Sequence, residues 1–141
     1  MTARYPLVLN GTTIQELQSG DTANLPSGQP LTNPAVTDYT ETAYTANTST
    51  AITVSLSNGT VQVLTLTGSP TITMPSAVAG KSFIIYLKTG SGSYTVTWST
   101  VKWSGGTAPT VTATASKMDI YSFFSDGTNW YGVTVGQNYT P

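Results

Sequence analysis

The chain has no cysteine and no histidine, and only 8% of its 141 residues are charged. The missing cysteine excludes disulfides and thiolate chemistry and leaves the redox compartment open. Without cysteine or histidine, the usual zinc sites and nucleophile–base pairs cannot be assembled. A typical soluble domain carries about 25% charged residues, so a surface this poor in charge repels its neighbours weakly. Lys and Arg number 5 against 6 Asp and Glu. That balance offers no basic field to attract nucleic acid or an anionic membrane. No apolar run approaches the roughly 20 residues that span a bilayer. The run within Met1–Asn10 is too short for a signal-peptide core, so the expectation is synthesis in the cytoplasm without an export address.

The acids are equally sparse. Glycan hydrolysis needs two carboxylates at a set separation, and the chain offers Glu16, Asp21, Asp38, Glu41, Asp119 and Asp126. The first four fall in the N-terminal region. Asp126 has a sufficient role in a turn, and Asp119 is expected to pair with Lys117 or face solvent. Gly90-Ser91-Gly92 and Ser104-Gly105-Gly106 precede no helix start, so neither is a phosphate loop. The sequence therefore predicts no enzyme, no cofactor and no metal.

What the chain does have is threonine, at 28 positions, within a 38% hydrophobic composition. The branched β-carbon of threonine packs well on a pleated surface. From Ala51 onward short β-rich runs alternate with Gly, Asn and Pro turns. Ile52, Val54 and Leu56 alternate with polar residues, and Asn58-Gly59 follows as a hairpin turn. Val61 and Val63 give way to Leu64 and Leu66, a one-residue slip that predicts a β-bulge. Ile72 and Met74 form a short strand, and Phe83–Leu87 is a continuous apolar run, hence a strand covered on both faces. Tyr94, Val96 and Trp98 alternate, as do Val111, Ala113 and Ala115. About eight short strands and no helix-period segment predict an all-β fold, a β-sandwich or jelly-roll-like knob.

The strongest local signal is Met118–Val135. Two aromatic and β-branched runs flank Ser125-Asp126-Gly127-Thr128-Asn129, which reads as a β-hairpin. Met118, Ile120 and Phe124 share one face, and Tyr121 and Phe123 share the other with Asp119. A half-exposed strand alternates apolar and polar, so this strand has a cover on each side. One cover is the core, and the other is the N-terminal segment or another copy of the chain. Tyr121, Phe123 and Tyr131 are accordingly the candidate oligomer interface.

The first 45 residues differ. Tyr5–Leu9 reads as a short strand, Asn10-Gly11 as a turn, and Thr13–Leu17 as the return. Pro26, Pro30 and Pro34 then make the chain extended and irregular. The organisation expected is an extended attachment arm over 1–45, a knob over 46–136 and a tail over 137–141. Tyr5, Leu7, Leu9, Ile14 and Leu17 supply the apolar contacts of the arm. Among the tryptophans, Trp98 and Trp130 read as core or interface. Trp103 sits beside a Gly-rich loop and is the candidate glycan contact.

Four segments carry a family resemblance: Pro70-Thr71-Ile72-Thr73-Met74-Pro75, Gly80-Lys81-Ser82-Phe83, Val101–Pro109 and Asp126–Val133. In order and spacing, residues 60–135 resemble a β-module of bacteriophage virion proteins, found in C-terminal parts of tail fibres and in head-decorating proteins. The opening Tyr5–Leu17 also resembles the start of phage structural proteins. The resemblance implies a non-enzymatic, homotrimeric virion component whose N-terminal part attaches to the particle. With no shaft repeat or coiled coil, a head-decoration (cement) protein bound to the major capsid protein is the first expectation. A tail-fibre receptor-binding tip or carbohydrate-binding module, with a host surface glycan as partner, is the second.

Overall fold

A computed structural model describes residues 7–10, 13–16 and 32–141. The chain divides into two compact units, Met1–Asp38 and Tyr39–Pro141. In the first, β1 (Leu7–Asn10) pairs antiparallel with β2 (Thr13–Glu16), with Asn10 opposite Thr13. This is the hairpin that the Asn10-Gly11 turn predicts. Tyr5 and Leu17 lie outside the described residues.

The second unit is all β. Its strands are β3 (Ala43–Thr48), β4 (Ala51–Thr53), β5 (Val61–Leu66), β6 (Thr71–Thr73), β7 (Ser82–Thr89), β8 (Thr97–Ser99), β9 (Val101–Trp103), β10 (Met118–Ser125) and β11 (Trp130–Tyr139). They form a six-stranded sheet in the order β3-β5-β7-β10-β11-β9 and a three-stranded sheet in the order β4-β6-β8. The chain winds three times from the first sheet to the second, through β3 to β4, β5 to β6 and β7 to β8. Strands of successive windings lie parallel, with Ala43 beside Val61, Val61 beside Ile84, and Ile72 between Ile52 and Trp98. Each winding thus stacks its strands on those of the one before, as in a solenoid. The antiparallel β10–β11 hairpin then extends the larger sheet from β7, and β9 joins its far edge in parallel.

These ladders change several expectations. Asn58-Gly59 closes no hairpin. Leu56–Asn58 is a single 3-10 turn, and Gly59 (φ 127°) carries the chain from one sheet to the other. A Cβ at Gly59 would lie 2.1 Å from the Thr42 carbonyl oxygen, so only glycine fits there. No bulge interrupts β5, whose register with β3 and β7 is continuous. Its two apolar sets are its two faces. Leu64 and Leu66 enter the core beside Gln62, whose amide donates to the carbonyls of Gly59 (2.5 Å) and Ser55 (3.3 Å). Val111–Ala115 forms no strand. Ala43–Thr45, placed in the arm by the sequence, belong to β3, and the expected tail Gln137–Tyr139 belongs to β11.

One core lies between the two sheets. Leu64, Leu66, Ile72, Ile85, Leu87, Tyr121 and Phe123 are fully or almost fully buried, with Ile52, Val96, Trp98 and Trp103 packed against them. Phe83 stacks on Phe123 at 4.9 Å and meets Trp130 edge-on at 5.0 Å. Such pairs contribute about 0.5–1.5 kcal/mol each beyond the area they bury.

Candidate functional site

The hairpin β10–β11 places its residues on two faces, and the structure inverts part of the sequence expectation. Tyr121 and Phe123, the expected interface residues, are 0% exposed within the single chain. They point between the sheets, where Trp98 and Trp103 meet both rings. They are core residues, because the partner that covers their face is the chain's own second sheet. Tyr131 does lie on the opposite, outer face, where it stacks on Phe124 at 5.4 Å with the rings 17° apart.

That outer face is unusually apolar. Register carries it across the sheet from Val61 and Val63 through Ile84 and Tyr86 to Met118, Ile120 and Phe124, then to Tyr131, Val133 and Tyr139. Phe124 is 50% and Val133 49% exposed, and Val135 and Tyr139 are also exposed. Lys88, beside Met118, and Lys102, beside Tyr131, are the only charges that register places on these strands' outer positions. Next to Phe124 a hollow of about 300 Å³ opens among Thr60, Ser82, Ile84 and Ser122, with Glu41 at its rim accepting from the Thr60 hydroxyl. A polar outer face is the norm for a one-sided sheet, and an apolar one of this extent marks an interaction surface.

The inner face holds the unit's one deeply buried acid. Asp119, expected near Lys117 or in solvent, is 2% exposed. Its Oδ1 accepts from the Thr112 hydroxyl (2.7 Å) and the Asn138 N–H (2.9 Å). Its Oδ2 accepts from the Thr112 N–H (2.7 Å), the Tyr121 hydroxyl (3.1 Å) and the Gln137 amide (3.1 Å). Lys117 turns instead to the Thr140 hydroxyl. The register explains the arrangement. Met118 pairs with Tyr139 but Ile120 with Gly136, so Gln137 and Asn138 bulge opposite Asp119. Asn138 adopts φ 62°, a conformation asparagine tolerates. Burial pushes the Asp119 pKa up, but the bonds from Thr112, Asn138 and Gln137 outweigh it and hold the carboxyl below its ordinary value. Burial, followed by the neighbouring Asp119 charge, pushes the Tyr121 phenol up. Both carboxylate oxygens are consumed in tying the 110–112 loop to the end of β11, which is a framework role.

Asp126 fulfils its expected turn role. Its Oδ1 accepts from the N–H groups of Thr128 (2.8 Å) and Asn129 (2.7 Å), and its Oδ2 from the Tyr131 hydroxyl (2.9 Å). These bonds bring its pKa down to about 2. The same carboxylate raises the pKa of Tyr131.

Trp103, the candidate glycan contact, is half-buried rather than open. Its ring meets Trp98, Tyr121 and Phe123, and its Nε1 is buried without a protein acceptor. A Cβ at Gly132 would lie 2.6 Å from the ring, so that glycine lets β11 lie directly on the indole. One part of Trp103 lines a groove of about 290 Å³ with Ser104, Thr107, Pro109, Gly132, Val133 and Thr134. The arm residues Leu7, Leu9 and Ile14 lie in the β1–β2 hairpin. Among the described residues there is no cluster of three or more acids suited to a metal ion, and no helix long and apolar enough to cross a membrane. No family model, curated protein or solved structure matches the chain.

Proposed function

We propose that the chain is a non-enzymatic structural component of a bacteriophage virion, a homotrimeric head-decoration protein made in the host cytoplasm and assembled onto the particle. In this reading the N-terminal unit attaches to the major capsid protein or another virion component, and the two-sheet knob projects as a sandwich-like body. Nucleic acid and membrane play no part.

The observation that carries the reading is how the four resembling segments converge. Trp130 Nε1 donates to the Pro75 carbonyl oxygen (2.8 Å), joining Asp126–Val133 to Pro70–Pro75. Gly80 N–H donates to Ser125 O, and Ser125 N–H donates to Lys81 O. Gly132 seats Trp103 of the Val101–Pro109 segment. Residues up to 55 positions apart thus build one end of the β10–β11 hairpin. The motif is a packing framework, which is what a shared structural module supplies.

Copy number per purified virion, measured by quantitative mass spectrometry against the major capsid protein, tests this. Hundreds of copies fit a decoration lattice, and absence from intact particles refutes a virion role. Deleting Met1–Asn24 should abolish particle binding, and retained binding would refute attachment through the arm. The groove beside Trp103 favours a second reading, a receptor-binding tip or carbohydrate-binding module. A few dozen copies or fewer, with glycan adsorption lost in Thr134→Lys, would favour it. Unchanged adsorption in that variant would count against it.

A further inference from the structure

We infer that the outer face of the six-stranded sheet is an interface for a second copy of this chain, packed sheet against sheet. The inference stands apart from any virion role, and its two-copy contact is the alternative to the trimer of that reading. Within the unit Tyr39–Pro141 no strand covers this face, because every strand belongs to one of two sheets and the smaller one packs on the inner side.

Extent is the first argument. Six strands about 4.8 Å apart, with central strands of 8 residues rising about 3.3 Å each, give a face of roughly 24 by 26 Å. Two such faces in contact bury on the order of 1,200 Å², the lower bound of the range for stable interfaces. A second copy brings a face of the same size and matches all of it.

Chemistry is the second argument. Interface cores are rich in aromatic residues and poor in charge. Here Ile84, Ile120, Phe124, Tyr131 and Val133 hold the middle of the face. Lys88 lies toward one end of the strands and Lys102 on the edge strand β9. Shape is the third. The half-exposed Phe124 stands beside the hollow of about 300 Å³ that Ile84 and Ser122 line. A projection and a recess on one surface are what a self-complementary contact about a symmetry axis requires.

The test uses the whole 141-residue chain. Light-scattering mass after gel filtration should rise from 14.8 kDa toward twice that value between about 1 and 100 µM. Phe124→Lys/Val133→Lys should return it to a single copy while keeping a cooperative unfolding transition. Val78→Lys, an equally exposed valine on the β6–β7 connection, should leave the mass unchanged. A wild-type chain that stays at 14.8 kDa at 100 µM overturns the inference, as does an oligomer indifferent to the double substitution. The absence of native cysteine permits a second reading that requires no disruptive variant. Ser122→Cys, in the middle of the face, should react with a maleimide at least tenfold more slowly at 100 µM than at 1 µM. Equal rates at both concentrations, whether fast from an open face or slow from cover by the chain's own N-terminal unit, overturn it.

Discussion

Replacing Asp119 by asparagine should destabilise the protein by about 3 kcal/mol. Asparagine keeps the shape and one acceptor, so the Thr112 hydroxyl and Asn138 N–H retain a partner at Oδ1. At the other position an NH2 group replaces Oδ2, where the Thr112 N–H, Tyr121 hydroxyl and Gln137 amide all converge. The hydroxyl can rotate and the Gln137 amide can turn, but the backbone N–H of Thr112 cannot. One buried donor left facing another costs about 1–3 kcal/mol, and disturbance of the two adjustable partners adds to it. For a unit of about 100 residues, 3 kcal/mol corresponds to a fall in Tm of roughly 12–24 °C. Thermal unfolding followed by near-ultraviolet circular dichroism measures this at pH 7. The pH profile supplies an independent sign. The folded pKa of Asp119 is depressed, so the unfolded state binds its proton more tightly. Its contribution is complete above the ordinary carboxylate value of about 3.9 and is lost as pH falls through the folded value. Asparagine cannot titrate, so the acid limb of the variant should be shallower than that of the parent. A variant within about 1 kcal/mol of wild type, with an unchanged acid limb, would refute the network as a structural tie.

Gly132→Ala should cost about 1–3 kcal/mol by forcing its methyl into the Trp103 ring. Trp103→Phe in the same chain should recover part of that loss, as read from urea midpoints. Trp103→Ala should cost about 3–5 kcal/mol, as a half-buried aromatic does and a free surface platform does not. The Asp126 carboxyl should titrate near about 2 by NMR. In Asp126→Ala the Tyr131 phenol should fall back toward its ordinary value of 10.0, and the Thr128 and Asn129 amides should lose protection from hydrogen exchange. Trp130→Phe should cost about 1–3 kcal/mol in the same urea assay, combining the lost bond to Pro75 with the smaller ring.

Local chemistry made some of this structure legible from the sequence. Asp126-Gly127 fixed the β10–β11 turn because aspartate can accept from the N–H groups two and three residues on, a contact needing no distant partner. Asn10-Gly11 identified the β1–β2 hairpin as a turn-favouring pair, likewise a local preference. The all-β class followed from threonine-rich alternation, and the apolar character of both faces of β10 was plain from residue identity. Three other features depended on tertiary structure. A period of two gives two equivalent faces, so only packing against the second sheet decided that Tyr121 and Phe123 turn inward while Phe124 and Tyr131 remain outside. Parallel ladders such as Ala43–Val61–Ile84 join residues about twenty positions apart without a turn signal of their own. The burial of Asp119 required a bulge in β11, the loop at Thr112 and the β10 ladder to meet at one point. Such contacts are set by where the whole chain lies, whereas the turns are set by a few neighbouring residues.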